Sequence, residues 1–332
     1  MSLTQRQAIA DAAPKSIAGR LLRWESILVG LLIAVIIGNT AISPYFLDIY
    51  NLSDATYNFS EKAIVALAMA LLIITREIDL SVAAIIALAS LAIGLAAEAG
   101  APLPVLIIIG PVVGLFCGAF NGFLVTRIGL PSIVVTIGTM SLFRGLAQVV
   151  LGDQVITKYP QTYTAIGQEY FIAWPPLPHS FVIFLILALV FAIVLHKTSF
   201  GRKLYAIGNN PMAAKFSGIP VERLRFQLFM LTGLLAGLAA MLLTARIGST
   251  RPNIALGWEL EIITMVILGG VSIAGGSGTI PGVALAVFIL GLITFGLSLI
   301  NVPGIVISVI LGCLLIVSIA VPILAKRILQ RR

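Results

Sequence analysis

Long apolar runs without charged residues alternate with short polar segments along most of the chain. A helix needs about 20 apolar residues to cross the roughly 30 Å of hydrocarbon in a bilayer. The last run is too long for one crossing, but glycines and prolines near residues 269–282 and 301–304 divide it. The pattern predicts about ten membrane-spanning helices, some of them short or interrupted: 26–43, 60–76, 80–98, 103–125, 132–151, 179–196, 226–245, 258–273, 280–300 and 304–324.

The composition supports an all-α integral membrane protein. Of the 332 residues, 59% are hydrophobic and only 10% are charged, whereas a soluble domain has about 25% charged residues. So few charged side chains cannot cover the surface of a soluble fold of this length. No soluble basic face is left for nucleic acid, so we expect the lipid bilayer, and no nucleic acid, among the partners.

The distribution of basic residues predicts the orientation in the membrane. With a cytoplasmic N-terminus and alternating spans, 16 of the 21 Lys and Arg side chains fall on the cytoplasmic side, as the positive-inside rule requires. An even number of spans then makes the C-terminus cytoplasmic as well. The predicted organisation is a cytoplasmic segment over 1–25, a transmembrane domain over 26–325 with a long cytoplasmic loop over 197–225, and a basic cytoplasmic tail over 326–332.

Motifs for catalysis or cofactor binding are absent from the sequence. There is no HExxH, CxxC or GxSxG pattern, and the missing Gly-Lys dipeptide excludes a Walker A phosphate-binding loop. The glycine-rich run 275–279 lacks that lysine and is better explained as a tight connection between two spans. We therefore predict a non-enzymatic membrane subunit without a metal or another cofactor.

The long cytoplasmic loop contains a short helix with a start and a stop signal. Asn210 is a favourable N-cap, and Pro211 suits the first helical position. Gly218 fits the left-handed residue that ends a helix, and Pro220 prevents its continuation. A helix of two turns is marginal alone in water, so another surface must hold it. On physical grounds, lipid headgroups and a groove on a partner protein are equally good candidates for the surface that holds this helix.

Five segments carry a recognisable pattern through their order and spacing: 78–82, 119–122, 131–139, 206–219 and 268–279. In these segments the chain resembles the permease subunits of sugar-type ABC importers, the family of ribose, xylose and rhamnose permeases. The resemblance extends from about residue 40 to 325. The chain looks most like the rhamnose branch of this family. This resemblance favours a monosaccharide as the transported solute, with rhamnose as the first candidate.

The resemblance implies ATP-driven import across a bacterial inner membrane. Two permease chains, identical or related, form the pore, ABC ATPase subunits hydrolyse ATP, and a periplasmic binding protein delivers the sugar. The short loop helix is then the coupling helix that docks on the ATPase. The residues assigned to it are Asn210, Pro211, Met212, Ala213, Ala214, Phe216, Ser217 and Gly218. We expect Met212, Ala213, Ala214 and Phe216 to supply the docking surface.

The chain departs from the family pattern at the junction of the second and third spans. The family usually has two glycines before Ile-Asp-Leu-Ser, where this chain has Arg76 and Glu77, and a glycine after Ser-Val, where it has Ala83. Charges at membrane depth usually face protein or a water-filled cavity. The polar residues at this junction are therefore either paired locally at the cytoplasmic rim or part of a gate. They are Arg76, Glu77, Asp79 and Ser81.

Hydroxyl and amide side chains within the spans are candidate contacts for the sugar. They are Asn58, Thr136, Thr139, Ser141, Gln148 and Thr264. Each has the alternative role of a hydrogen bond to a neighbouring helix, which is common for such residues in membranes. On the outer side, Asp153, Glu259 and Glu261 are candidate contacts for basic residues of the binding protein.

A secondary transporter driven by an ion gradient is the alternative from a different functional class. It would also have about ten spans with broken helices, and Glu77 and Asp79 could carry protons in it. Both acids lie at span ends, however, and the short helix of the cytoplasmic loop has no role in such a transporter.

Overall fold

The computed structural model describes residues 24–330, with side chains for 24–318 and for Ala320. The predicted segment 1–25 therefore lies almost wholly outside the described residues, as do the last two residues of the predicted tail 326–332. In chain order the elements are α1 (Trp24–Ile42), α2 (Ile49–Ile74), α3 (Val82–Glu98), α4 (Leu103–Phe123, extended by a π-helical turn, Leu124–Ile128), α5 (Ser132–Leu151), α6 (Gln161–Gln168), β1 (Tyr170–Ile172), β2 (Leu177–Pro178), α7 (His179–Lys197), α8 (Ser199–Asn209), α9 (Pro211–Phe216), α10 (Val221–Ile247), α11 (Trp258–Leu268), α12 (Ile280–Leu299) and α13 (Gly304–Gln330).

Seven helices of the described chain are long and apolar enough to cross a membrane: α1, α2, α4 with its π-helical turn, α5, α7, α10 and α12. Each overlaps a predicted span, which confirms a predominantly α-helical membrane protein. The remaining three predicted spans coincide with α3, α11 and α13. Because α3 has 17 residues and α11 only 11, the count of ten crossings stays a prediction.

The glycine-rich connection after α11 ends that helix earlier than the sequence pattern predicts. The predicted span 258–273 stops at Leu268, and Gly270, two residues later, has a φ of +88°. A left-handed residue of this kind cannot continue a right-handed helix. The chain then turns over residues 269–279, and Thr279 caps α12 by accepting a hydrogen bond from the Gly282 N–H.

The loops contain structure that the apolar pattern does not predict. Strands β1 and β2 form an antiparallel hairpin with Tyr170 opposite Pro178, so the fold is not purely helical. Helix α8 precedes the predicted short helix in the 197–225 loop, with Thr198 accepting from the Gly201 N–H at its start. Its sequence is too polar for a membrane span, which is why hydropathy alone overlooks it.

Helices α2 and α10 form the enclosed centre of the protein. In their most apolar stretches, 83% and 78% of the residues are buried. Helix α4 approaches α10 through glycines on both helices: a Cβ added to Gly114 would lie 2.1 Å from the carbonyl oxygen of Gly233. Small residues let helix backbones approach this closely in membranes, where van der Waals packing holds helices together.

The two ends of the helical bundle carry different elements. We call the end with α8 and α9 the inner end, and the end with α6 and the β-hairpin the outer end. At the inner end, the Gly276 N–H donates to the Ile74 carbonyl over 2.9 Å. At the outer end, Ile156 and Thr250 pair as an antiparallel bridge. The connection 248–257 lies at this outer end, between α10 and α11.

Candidate functional site

The short helix α9 begins and ends at the residues that its capping signals predict. The Asn210 side chain accepts a hydrogen bond from the Ala213 N–H at 3.1 Å, and Pro211 occupies the first helical position. The helix ends at Phe216, and Gly218 follows with a φ of +80°. These interactions are local, because a cap bonds only to the first or last turn of its own helix.

One face of α9 is anchored to the rest of the protein. Ala214 is 4% exposed and packs in an apolar cluster with Ile207, Val221 and Leu224. This cluster supplies the support that a six-residue helix lacks alone in water. The prediction that Ala214 belongs to an outward docking surface therefore needs correction, because its methyl group faces α8 and α10.

The opposite face of α9 presents large apolar side chains to solvent. Phe216 is 86% exposed and Met212 is 63% exposed. Lys215, next to Phe216 in sequence, pairs with Glu222 at 2.7 Å, with both side chains largely exposed. Apolar side chains on an anchored, solvent-facing helix are typical of a surface that a partner protein covers.

Arg76 connects the end of α2 to the loop that carries α9. Its Nε donates to the Gly208 carbonyl at 2.6 Å, and an Nη donates to the Asn209 carbonyl at 2.8 Å. The Arg76 backbone has a φ of +69°, a left-handed conformation that favours glycine. The family glycine at this position would adopt it freely, whereas arginine adds two charge-assisted hydrogen bonds to the loop.

Further bonds join α10 and the glycine-rich connection to the same junction. Arg225 pairs with Glu77 at 2.9 Å and also donates to the Thr75 carbonyl at 3.1 Å. The Tyr205 hydroxyl of α8 donates to the Gly278 carbonyl at 2.7 Å, and burial raises the pKa of this tyrosine. The inner ends of α2, α8 and α10 and the connection before α12 are thus held as one unit. The sequence alone did not identify Arg225 as the partner of Glu77.

Asp79 and Ser81 form a buried polar group behind this junction. The Asp79 carboxylate accepts from the Ser81 N–H at 2.9 Å and from the Ser81 hydroxyl at 2.6 Å. The Asn121 amide of α4 donates to the Ser81 hydroxyl oxygen at 2.8 Å. All three side chains are fully buried. They fix the chain at the start of α3, and Asn121 lies in one of the sequence segments that carry the family resemblance.

The six candidate sugar contacts are not brought together. Thr136, Thr139 and Thr264 are buried, and each hydroxyl donates to a carbonyl of its own helix. Asn58 is exposed, with its amide bonded to the Asp54 carbonyl. Only Ser141 and Gln148 share an exposed face, two turns apart on α5. The structure therefore does not place the three threonines where a solute could contact them.

A polar cavity of about 520 Å³ lies at the outer end, beside Gln148. It joins the end of α5 to the connection between α10 and α11. We call it the outer vestibule, and its lining consists of Gln148, Gly152, Asp153, Gln154, Val155, Arg251, Pro252 and Asn253. The sequence pattern suggested Gln148 and Asp153 separately, but nothing in it brings residues 148–155 next to 251–253.

Two ion pairs connect α2 to α10 and α11 near the outer end. Arg246 donates to the buried Glu61 at 2.7 Å, and Lys62 pairs with Glu261. The Lys62 ammonium also lies 4.8 Å from the ring centre of Trp258, a cation–π contact. Because Glu261 is paired and only 22% of its side chain is exposed, it does not fit the predicted role of a free contact for a binding protein.

Comparisons with known proteins agree on one family. Residues 51–319 match the model of the branched-chain amino acid transport system permease component. The chain is 37% identical over 302 residues to the autoinducer 2 import system permease protein LsrD of Escherichia coli K12, covering 89% of this chain and 91% of that protein. The LsrD protein of Shigella flexneri matches with the same identity and coverage. No solved structure matches the chain significantly.

Proposed function

The chain belongs to the permease family of branched-chain amino acid transport systems, and from this premise we propose the solute that it carries and the way it is coupled to ATP. At the coarser level, it is a permease subunit of a sugar-type ABC importer in the inner membrane. Such a subunit is a transport component without a catalytic reaction of its own. ATPase subunits and a periplasmic binding protein are its partners in the importer.

The proposed solute is a small neutral sugar-like compound, with autoinducer 2 as the first candidate. The names of the LsrD relatives support this choice, because these proteins belong to an autoinducer 2 import system. Rhamnose is the second candidate and rests on the sequence motifs alone. Uptake of both labelled compounds by the permease, reconstituted with its ATPase and binding protein, tests the proposal. ATP-dependent uptake of neither compound would contradict it.

The proposed coupling element is α9, which docks on the ATPase through Met212 and Phe216. The single observation that carries this proposal is the exposure of these two apolar side chains on a helix whose other face is anchored through Ala214. The junction at Arg76 and Arg225 then gives the docked helix a direct connection to α2 and α10. Movement of α9 would thus reach the centre of the transmembrane domain.

Phe216→Glu tests the docking surface without disturbing the anchored face. We expect normal membrane insertion, loss of ATPase retention on the affinity-purified permease, and loss of uptake, because a charged group replaces an apolar side chain that the docked ATPase would cover. Phe171→Glu is the matched control, since Phe171 is also exposed but lies in the hairpin at the outer end. Normal ATPase retention by Phe216→Glu would remove α9 from the coupling role.

We also propose that the inner end faces the cytoplasm, that both termini are cytoplasmic and that the chain crosses ten times. The excess of basic residues on this side supports the orientation. Cysteines at Lys158 and Lys203, both exposed, should react with impermeant thiol reagents from outside and inside respectively. Cys117 and Cys313 are first replaced by alanine. Labelling of both new sites from one side would contradict the orientation.

A second permease chain is proposed to pack near the exposed face of α5. Only 28% of the most apolar stretch of this helix is buried within one chain. The exposed face carries Ser141 and Gln148, and an added Cβ at Gly138 or Gly145 would meet no atom within 4 Å. This face suits a route for a polar solute between two chains. Co-purification of differently tagged copies of this chain tests whether the pair consists of two identical chains or of two related ones.

The ion-gradient alternative has less support. Glu77 is paired with Arg225, and Asp79 is bonded to Ser81 at the start of α3. Carboxylates held in this way have a structural role that explains their presence at the span ends. The family of the chain supports ATP-driven import instead.

A further inference from the structure

The outer vestibule differs from its surroundings because its polar side chains are unpaired. Among the described residues, Gln148, Asp153, Gln154, Arg251 and Asn253 form no side-chain hydrogen bond or ion pair with another protein group. All five are exposed to solvent. Their hydrogen-bonding capacity is therefore available to a solute that displaces water.

The neighbouring cavity on the other side of the same connection offers a contrast. Its volume is about 330 Å³; it shares Arg251 and Asn253 with the outer vestibule, and Arg246 and Trp258 are among its other lining residues. Arg246 is already paired with Glu61, and Trp258 lies against Lys62. Arg246 and Trp258 thus hold helices together, whereas Gln148, Asp153 and Gln154, which line the outer vestibule and not this second cavity, have no such partner among the described residues.

The chemistry of the outer vestibule fits a neutral compound with several hydroxyl groups. One carboxylate (Asp153) and one guanidinium (Arg251) give no net charge, so neither an anion nor a cation is favoured. The three amides both donate and accept, as sugar hydroxyls do. A volume of about 520 Å³ is also within the range of small-molecule sites, roughly 300–1,000 Å³.

The backbone that carries Arg251 and Asn253 is held on two sides. Arg144 of α5 donates to the Pro252 carbonyl at 2.9 Å and to the Ile254 carbonyl at 2.7 Å. Thr250 pairs with Ile156 through backbone hydrogen bonds of 2.9 and 3.1 Å. A site built on a fixed backbone loses less conformational entropy when it binds a solute. These contacts therefore indicate a binding site and not a chance depression of the surface.

We propose that the outer vestibule is the site where the permease first receives its solute, a neutral polyhydroxylated compound released by the binding protein. The site rests on the proposed function and adds to it the residues that contact the solute. From Gln148 the exposed face of α5 continues inward through Gly145 to Ser141, which connects the vestibule to the proposed route. Binding here is expected to be weak, because a tight site would delay passage.

Two kinds of substitution test the site in the reconstituted importer. Arg251→Gln removes a charged donor, and Val155→Trp fills the cavity without removing a polar group. Either change should lower the initial rate of autoinducer 2 or rhamnose uptake about tenfold or more at low solute concentration. Lys158→Gln and Thr157→Trp are the matched controls, since both positions are exposed in the same loop but do not line the vestibule. The controls should transport normally.

Affinity of the binding protein for the permease complex is measured on the same variants. Unchanged affinity with reduced uptake supports a solute site. An equal loss of affinity would overturn the proposal and make the vestibule a docking surface for the binding protein, and normal uptake by Arg251→Gln and Val155→Trp would overturn it directly.

A wild-type complex that transports neither compound signals failure of the proposed solutes, and a second readout then decides the site. Asn253→Cys, in a chain with Cys117 and Cys313 replaced by alanine, is labelled with an impermeant maleimide. Protection by a saturating mixture of ribose, xylose and rhamnose supports the vestibule as a polyol site. Labelling at an undiminished rate would overturn it.

Discussion

Helices α2 and α5 are equally apolar but have different surroundings. Their most apolar stretches have the same mean hydropathy, yet 83% of that stretch is buried in α2 and only 28% in α5. Helix α2 is enclosed by α7, α10, α11 and α12. The most apolar stretch of α5 instead exposes isoleucine, valine and leucine side chains together with Ser141 and Gln148.

The difference shows that hydropathy identifies a membrane-crossing helix without identifying its neighbours. A protein interior and lipid tails are equally apolar, so the same side chains suit both. The two helices differ more clearly in whether their polar side chains have partners. Those of α2, such as Glu61 and Lys62, are paired with α10 and α11, whereas Ser141 and Gln148 on the open face of α5 have no side-chain partner in the part of the chain that the structure describes.

The largest effect is expected from a side chain inserted into the enclosed centre. Gly114→Leu would drive its side chain into the backbone of α10 at Gly233, so the protein should fail to fold. Gly138→Leu on the open face of α5 should fold normally, because an added Cβ there meets no atom within 4 Å. The yield of monodisperse protein in detergent measures both. Equal yields would contradict the distinction between enclosed and open helices.

The buried ion pair of α2 should contribute more to stability than an exposed pair. Arg246→Met leaves the fully buried Glu61 without its partner and should lower the free energy of unfolding by about 3 kcal/mol. Lys215→Met breaks the exposed pair with Glu222 and should cost less than about 1 kcal/mol. Denaturant midpoints of both variants provide the comparison. Adding Glu61→Leu to Arg246→Met should restore much of the lost stability, and no recovery would indicate that the charge is not the cause.

At the inner end of α2, substitutions of Arg76 separate backbone strain from hydrogen bonding. Arg76→Ala and Arg76→Gly both lose the bonds to Gly208 and Asn209, but only alanine keeps the strain of a positive φ. The glycine variant should therefore be more stable than the alanine variant by about 1 kcal/mol.

The same two variants test the connection between α9 and α2. Both should retain the ATPase but transport less solute for each ATP hydrolysed, because the loop is no longer fixed to the junction. The ratio of uptake to ATP hydrolysis in proteoliposomes measures this effect. A wild-type ratio in both variants would show that Arg76 does not transmit the movement of α9.

The smallest change in stability is expected on the open face of α5. Ser141→Leu should alter the free energy of unfolding by less than about 0.5 kcal/mol, since its side chain is exposed. It should nevertheless reduce uptake if α5 lines the route. Thr264→Val gives the opposite comparison, because this hydroxyl is buried and bonded to its own helix, so uptake should remain normal. Thermal unfolding and uptake are measured on both, and the reverse pattern would assign the route to α11.

The sequence by itself determined the class of protein, the position of most apolar helices and the limits of α9. These features depend on neighbouring residues: an apolar run predicts a span, and Asn210, Pro211 and Gly218 act on the one helix that they flank. The breaks before α12 and α13 were predictable for the same reason, since glycine and proline interrupt a helix wherever it packs. The family followed from the order of several such segments along the chain.

Only the tertiary structure decided which helices are enclosed and which polar groups are free. Arg76 meets Gly208 across 132 positions in sequence, and Arg246 meets Glu61 across 185. The inward position of Ala214 and the outer vestibule likewise depend on contacts between distant elements. The physical reason is that a local pattern gives the apolar or polar character of a side chain but not the arrangement of the helices in space. The partner of that side chain depends on this arrangement.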